Sequence, residues 1–341
     1  MQIVNTHLTS LLGTRVPIVS AAMAGAASTD LAVEVTRGGG FGFVGAAFDA
    51  PEKLAADLKA ARASFPDLAP TAPTPIGVGF IGWLLDTDEV RGRALLAAAL
   101  ASNVAAIWLA FGVDLRKWVF ATRDGAVPPG APRPLVFVQV TSVEEARVAA
   151  EEWGVDVVVA QGNESGGHGG AAAPPTFTLV SEVLAKLGPS GPPVLAAGGL
   201  ATGAQIASCL TLGAAGVVLG TRYVLTPESV YPAGGKARLL RATGTHTVRT
   251  LALDYARGTY GWPVGIDGRG LRTAIVDDIE SGVEHAEVQA KFKAGDEGYT
   301  VTWSGTGVGL MNEIKPAKQL TEELHADVVK AFQRTQSFFA V

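Results

Sequence analysis

The sequence predicts an α/β protein, a (β/α)8 TIM barrel carrying an inserted, mainly helical subdomain after the eighth strand. Three observations predict it. Short apolar runs alternate with longer segments of helical period; the runs show little internal alternation, as strands buried on both faces do; and glycines gather where the runs end. The runs are VPIVSA (16–21), FGFVGA (41–46), PIGVGF (75–80), AAIWLAF (105–111), PLVFVQV (134–140), VDVVVA (155–160), PVLAAGG (193–199) and AGVVLGT (215–221). Eight strand–helix units in this span suit a closed barrel better than an open doubly wound sheet.

The intervening segments carry helix start and stop chemistry. Ser28 is placed to cap STDLAVEVTRGG, which stops at Gly38. Ser142 precedes two glutamates at the positive end of SVEEARVAAEEWG, which Gly154 ends, and TGAQIASCLTLG is bounded by Thr202 and Gly213. After Thr221 the strand–helix alternation stops. The expected division is a barrel over 1–225, an insertion over 226–303 and a segment over 304–341 whose helix returns to cover the eighth strand.

Composition narrows the function classes. Hydrophobic residues make up 48% of the 341 and charged residues 17%, which describes a packed globular chain. A net charge of −5 offers no basic field for nucleic acid or an anionic membrane. The single cysteine, Cys209, falls in an apolar helical run and is expected to be a packing residue in a reducing compartment. The N-terminus lacks signal-peptide character, and no apolar run reaches the roughly 20 residues that span a bilayer, so a cytoplasmic location is expected. Nothing in the chain points to a metal.

Barrel enzymes build their sites at the carboxyl ends of the strands. There the first strand offers AAMAG, with Ala22 and Met23; the third ends at Gly79-Phe80; the fifth carries Gln139. Paired glycine turns follow strands seven and eight, at Gly198-Gly199 and Gly220-Thr221, where free amides and a helix beginning near Thr202 would converge on a phosphate. Ordinary barrel turns also favour glycine, which is the competing reading. GGGFGFVGA matches G-x-G-x-x-G at Gly40, Gly42 and Gly45, but a helix precedes it and the motif lies within a strand, so it reads as turn and packing.

The most specific stretch is VVVAQGNESGGHGG (157–170). Gly162, Gly166, Gly167, Gly169 and Gly170 would let the main chain lie flat against a planar ligand, with His168 projecting over it and Gln161 reaching a heterocycle edge. An imidazole titrating near neutrality suits removal of a proton from an acidified carbon. The alternative is that His168 caps a helix or satisfies a carbonyl.

Together, PIVSAAMAG, AQGNESGGHGG, AAGGLATGAQIASCLTLGAAGVVLGTRY and GTGVGLMNEIKPA resemble the nitronate monooxygenase family, formerly called 2-nitropropane dioxygenases, over residues 13 to 225 and the final helix. The resemblance implies bound FMN and oxidation of alkyl nitronates, with nitroalkanes as further substrates, by O2 to a carbonyl compound and nitrite. It implies that Gln161, Gly166 and Gly167 contact the flavin; that Gly198, Gly199, Val218, Leu219, Gly220 and Thr221 hold its phosphate end; and that Ala22 and Met23 lie beside the ring. Gln139 would reach the pyrimidine edge, and His168 would be the base. Two departures bear on substrate: members often carry asparagine in the motif that here reads GVGF around Gly79, and arginine or a similar residue where Gly169 follows the histidine. The stretch RDGAVPPGAPRP (123–134) is also long and proline-rich.

Trp108, Tyr260, Trp262, Tyr299 and Trp303 are candidates for an apolar pocket, with core packing as the alternative for each. Two other functions stay open: an FMN-dependent NAD(P)H reductase of quinones or enoyl thioesters, and a flavin-free barrel binding a phosphorylated ligand. The partners expected are a small nitronate or nitroalkane and O2; a monomer and a homodimer are equally compatible with the sequence.

Overall fold

In the computed structural model, which describes residues 3–338, the strands are β1 (Ile18–Ser20), β2 (Gly42–Gly45), β3 (Thr74–Ile81), β4 (Val104–Ala110), β5 (Leu135–Val140), β6 (Val157–Gln161), β7 (Gly167–Gly170), β8 (Val194–Ala197), β9 (Gly216–Leu219), β10 (Thr247–Thr250) and β11 (Ile266–Leu271). All but β7, β10 and β11 form one parallel sheet, in the order β1-β9-β8-β6-β5-β4-β3-β2. A bridge between Val19 and Phe41 joins its two ends, so the sheet closes into the predicted barrel. Each predicted apolar run overlaps one barrel strand, with ends agreeing to within two residues.

Strand geometry sends successive side chains to opposite faces, and here both faces are buried. Inward go Val19, Phe43, Trp108, Phe137, Val159 and Val218; outward, against the helices, go Ile18, Val44, Ile107, Val138, Val158 and Leu219. The interior is plugged by aromatic rings: Phe43 meets Phe41, Trp108 and Phe137 edge-on at centroid distances of 5.2, 5.1 and 5.1 Å. Above the plug, space opens at the carboxyl-end rim.

The caps form where the sequence placed them. Ser28 Oγ accepts from the Leu31 amide, and Thr202 and Gln205 make a reciprocal capping box at the helix Gly203–Leu212, which ends at Gly213 with φ 112°. Ser142 caps the helix Val143–Arg147, which runs on through a π-turn (148–152) before Gly154. The last helix, Ala317–Gln336, packs between the 203–212 helix and the helix Thr29–Arg37 and so takes the place of the eighth barrel helix. Buried Tyr223 hydrogen-bonds Thr321 at 2.7 Å across that seam. Among the described residues no helix is long and apolar enough to cross a membrane.

The stretch 226–303 contains the helices Ala233–Leu239, Ala252–Arg257, Ala274–Glu280 and His285–Ala294, and also the strands β10 and β11, which no apolar run marks. Its own core gathers Leu253, Ile275, Val276 and Val288. Antiparallel β11 pairs with β10 on one side and β7 on the other, setting His168 opposite Gly268. The glycine-rich loop is therefore partly a strand, contrary to the expectation of main chain spread flat against a ligand. Gly-His-Gly-Gly carries no hydrophobic period; its extended form comes from pairing with a partner about a hundred residues away in sequence.

Candidate active site

One cavity opens at the rim, lined from the barrel by residues in or just after all eight strands of the sheet. Ala22, Met23, Gly79, Gln139, Gln161, Gly166, Gly167, His168, Gly198, Gly199, Val218, Gly220 and Thr221 all stand in its wall. Leu219 does not. Strand alternation turns its side chain outward into the helical layer, and its carbonyl is taken by the Ala21 amide at 3.0 Å.

Most of the glycines turn out to be where chain meets chain. A side chain at Gly162 would strike Thr176, one at Gly166 would strike Ser304 and Gly305, one at Gly169 would strike Gln161 and Ser165, and one at Gly170 would strike Thr141. Gly79 is pressed against Ala22 in the same way. Gly40, Gly42 and Gly45 are likewise filled by the backbones of Ile18, Ala32 and Met23, so that motif is packing. Gly167 differs: at φ 68° it faces open space within the cavity wall. Gly198 and Gly199 turn at φ 118° and 69°, conformations that side-chain-bearing residues rarely adopt.

The helix after β8 does not present an open N-terminus. Its Gln205 side chain takes the Ala201 and Thr202 amides at 2.9 and 3.2 Å, and Thr202 takes the Gln205 amide. Amides left open at this rim include those of the turns themselves. The amides of Gly199 and Gly220 donate to no turn, loop or cap acceptor among the described residues.

Three buried polar atoms in the cavity wall have no partner: Gln139 Nε2, Gln161 Oε1 and Ser165 Oγ. The other end of the Gln161 amide donates to the His168 carbonyl at 3.2 Å. Orphaned buried polar groups are costly, so a donor, an acceptor and a hydroxyl left bare on one wall mark a place for a polar ligand edge.

The remaining wall comes from the 226–303 stretch and the chain just after it. Trp262 stacks on the His168 ring at 3.4 Å and 12°, and Trp303 flanks it at 4.8 Å. His168 Nε2 lies 2.9 Å from both oxygens of Asp254, whose side chain is fully buried. Trp262 Nε1 also donates to Asp254, at 3.1 Å, and Arg257 stands 4.0 Å from the same carboxylate. Burial holds the His168 pKa below its ordinary value; Asp254 opposes that shift, while Arg257 and Arg249 add to it. Arg257 is the one charged side chain of the cavity wall.

Of the aromatic candidates, Trp108, Trp262 and Trp303 line the cavity. Tyr260 is exposed and accepts a hydrogen bond from Gln289, and Tyr299 bonds Asp278; neither reaches the cavity. Asp254 and Arg257 were not foreseen. They sit three apart in ALDYARG, a spacing that an exposed helical ion pair shows equally well. Gly305, Gly307 and Met311, from a stretch noted only for its family likeness, also close the wall.

A histidine, glycine turns and bare polar groups on one rim of a closed barrel define a barrel with a ligand site at its carboxyl end. The family model for nitronate monooxygenase matches residues 92–327. The chain is 37% identical to the nitronate monooxygenase npaC of Metarhizium robertsii, with 92% of this chain and 91% of that one covered. Among solved structures, FabK of Thermotoga maritima superposes with a TM-score of 0.79 at 27% identity, covering 98% of this chain and all of that one. Nitroalkane oxidase of Streptomyces ansochromogenes gives a TM-score of 0.75 at 27% identity over 96% and 99%. The protein belongs to the nitronate monooxygenase family, whose members are oxidoreductases.

Proposed function

We propose that this chain binds FMN in the rim cavity and oxidises alkyl nitronates with O2 to a carbonyl compound and nitrite, taking neutral nitroalkanes after removing their α-proton. The observation that carries the reading is that His168 shares one wall with the unpaired Gln139 Nε2, Gln161 Oε1 and Ser165 Oγ, close to the bare amides of Gly199 and Gly220. Those groups fit a phosphorylated heterocycle. The glutamines supply a donor and an acceptor for the ring's polar edge, and the Gly198-Gly199 and Gly220-Thr221 turns supply amides for the phosphate. Ala22 and Met23 stand where the flat ring would pack.

Bound FMN supplies the electron acceptor for the nitronate. The protein's own residues do the rest. His168, kept neutral by burial, accepts the α-proton of a nitroalkane. Trp108, Phe111, Trp262 and Trp303 exclude water, and Arg257 balances the negative charge of the nitronate. The likeness to a nitroalkane oxidase and to a nitronate monooxygenase supports the substrate class.

The test is a pair of measurements on the purified yellow protein. Preformed alkyl nitronates are expected to drive O2 uptake with release of nitrite, and anaerobic NADPH is expected to leave the flavin oxidised. Rapid bleaching by NADPH without nitronate-driven O2 uptake would replace this reading with the NAD(P)H-dependent reductase. A colourless protein that FMN does not reconstitute would replace it with the flavin-free barrel.

A further inference from the structure

We infer that Asp254 is a positioning residue that fixes the tautomer of His168, so that Nδ1, and not Nε2, is the atom that takes the substrate proton. The inference rests on the reading of His168 as base and adds which nitrogen acts and what holds it.

The hydrogen-bond inventory carries the argument. An ionised carboxylate only accepts, so the imidazole nitrogen 2.9 Å from both Asp254 oxygens must bear the hydrogen. In a neutral ring the other nitrogen then carries the lone pair. Among the described residues Nδ1 has no protein partner, and unlike Gln139 Nε2 it is not shut off from the open space, so it faces the cavity that His168 lines. The carboxylate is itself held. Trp262 Nε1 donates to it, and the Arg257 guanidinium 4.0 Å away supplies a counter-charge, the support a fully buried charge requires. Trp262 stacked on one face and Trp303 against the ring stop it from rotating away from the carboxylate.

The step balances without any further reactant. The substrate Cα–H bond breaks, and its proton forms a bond to Nδ1. The electron pair left on carbon becomes the C=N bond of the nitronate, whose oxygens carry the charge. The resulting imidazolium is stabilised by Asp254 through Nε2–H, a hydrogen bond already present that becomes an ion pair, and so strengthens, once the proton has moved. The charged groups that face the ring are Asp254 and Arg257 on the 252–257 helix and Arg249 on β10, the last paired with Asp267 on β11.

Two measurements on the flavin-loaded enzyme test this. With histidines labelled by 15N, and His168 assigned by its loss in His168→Asn, the wild-type ring is expected to show a protonated Nε2 and an unprotonated Nδ1 at neutral pH. The reverse pattern overturns the inference even if Asp254→Asn does not fold. In Asp254→Asn, turnover of neutral nitroalkanes is expected to fall about 100-fold, as misplacement of a reacting group does, while preformed nitronates are largely spared. The acid limb of its pH profile should move further down, because the carboxylate that favours imidazolium is gone. Equal losses on both substrates with an unmoved limb would make Asp254 merely structural and overturn the proposal. The underlying reading fails separately: it is lost if His168→Asn turns over neutral nitroalkanes at the wild-type rate, whatever the tautomer.

Discussion

The two walls of the cavity are built from different materials. The barrel side is uncharged, mostly main chain, small residues and amides (Ala22, Gly79, Gln139, Gly198, Gly199 and Gly220), with Trp108 and Phe111 among them. The opposite side, contributed by 226–303 and the residues just beyond, is aromatic and charged, with Trp262, Trp303 and Arg257 at the surface and Asp254 behind them. His168 sits on the seam, on β7, which follows a barrel strand yet pairs with β11 of the other side. On the proposed reading the barrel wall holds the cofactor and the other wall acts on the substrate. Holding needs only shape and bare backbone, which a rigid scaffold gives, whereas acting needs the electrostatics of one ring to be set.

Breaking one side and sparing the other sharpens this contrast. The largest expected effect belongs to His168→Asn, which should lose about 10²–10⁴-fold on neutral nitroalkanes, the usual contribution of a general base, while keeping FMN and part of its rate on preformed nitronates. Stopped-flow with both substrate forms reads it; loss of flavin instead would move His168 to the holding side. On the barrel, Phe43→Ala removes the ring that three others meet and should cost about 3–5 kcal/mol in denaturant unfolding. Its turnover per bound flavin should be near wild type.

Smaller again is Gly198→Ala. At φ 118°, with a new Cβ 2.6 Å from Thr176 Oγ1, it should cost about 1–3 kcal/mol and weaken flavin retention more than it changes kcat. Full flavin content after gel filtration would argue that this turn holds nothing. The mildest effect is on pH. Because His168 is held below its ordinary value of 6.5, base activity should be complete at neutral pH and fade only as acid reaches the lowered value. Between those two points the unfolded chain binds the extra proton and the native state does not, so the ring's contribution to stability also shrinks as pH falls through that window. An acid limb centred above 6.5 in kcat/KM for a nitroalkane would contradict this.

The barrel was legible because its signals are local. Each strand is an apolar run, and Ser28, Ser142 and Thr202 cap helices within three residues of themselves. Alternation, properly followed, would also have excluded Leu219, since its neighbours Val218 and Gly220 face the cavity. The acting wall was not legible because it depends on partners far apart in the chain. Asp254 meets His168 across 86 positions, and β11 recruits Gly-His-Gly-Gly as a strand though neither has a strand's hydrophobic pattern. Glycine density marked a stretch that borders the cavity, for a partly different reason: at Gly162, Gly166, Gly169 and Gly170 it answers the crowding of protein on protein.

The stretch Trp303 to Met311 gives that crowding a temporal meaning. The Thr306 amide bonds the Glu164 carbonyl, the Gly305 amide bonds Thr221, and Gly307 fits against Gly199, so this late segment stitches together turns from three barrel strands. A nascent chain still on the ribosome before that segment emerges has a nearly complete barrel and an unfinished rim. On the proposed reading, cofactor capture in this protein waits on a segment made only after every barrel strand.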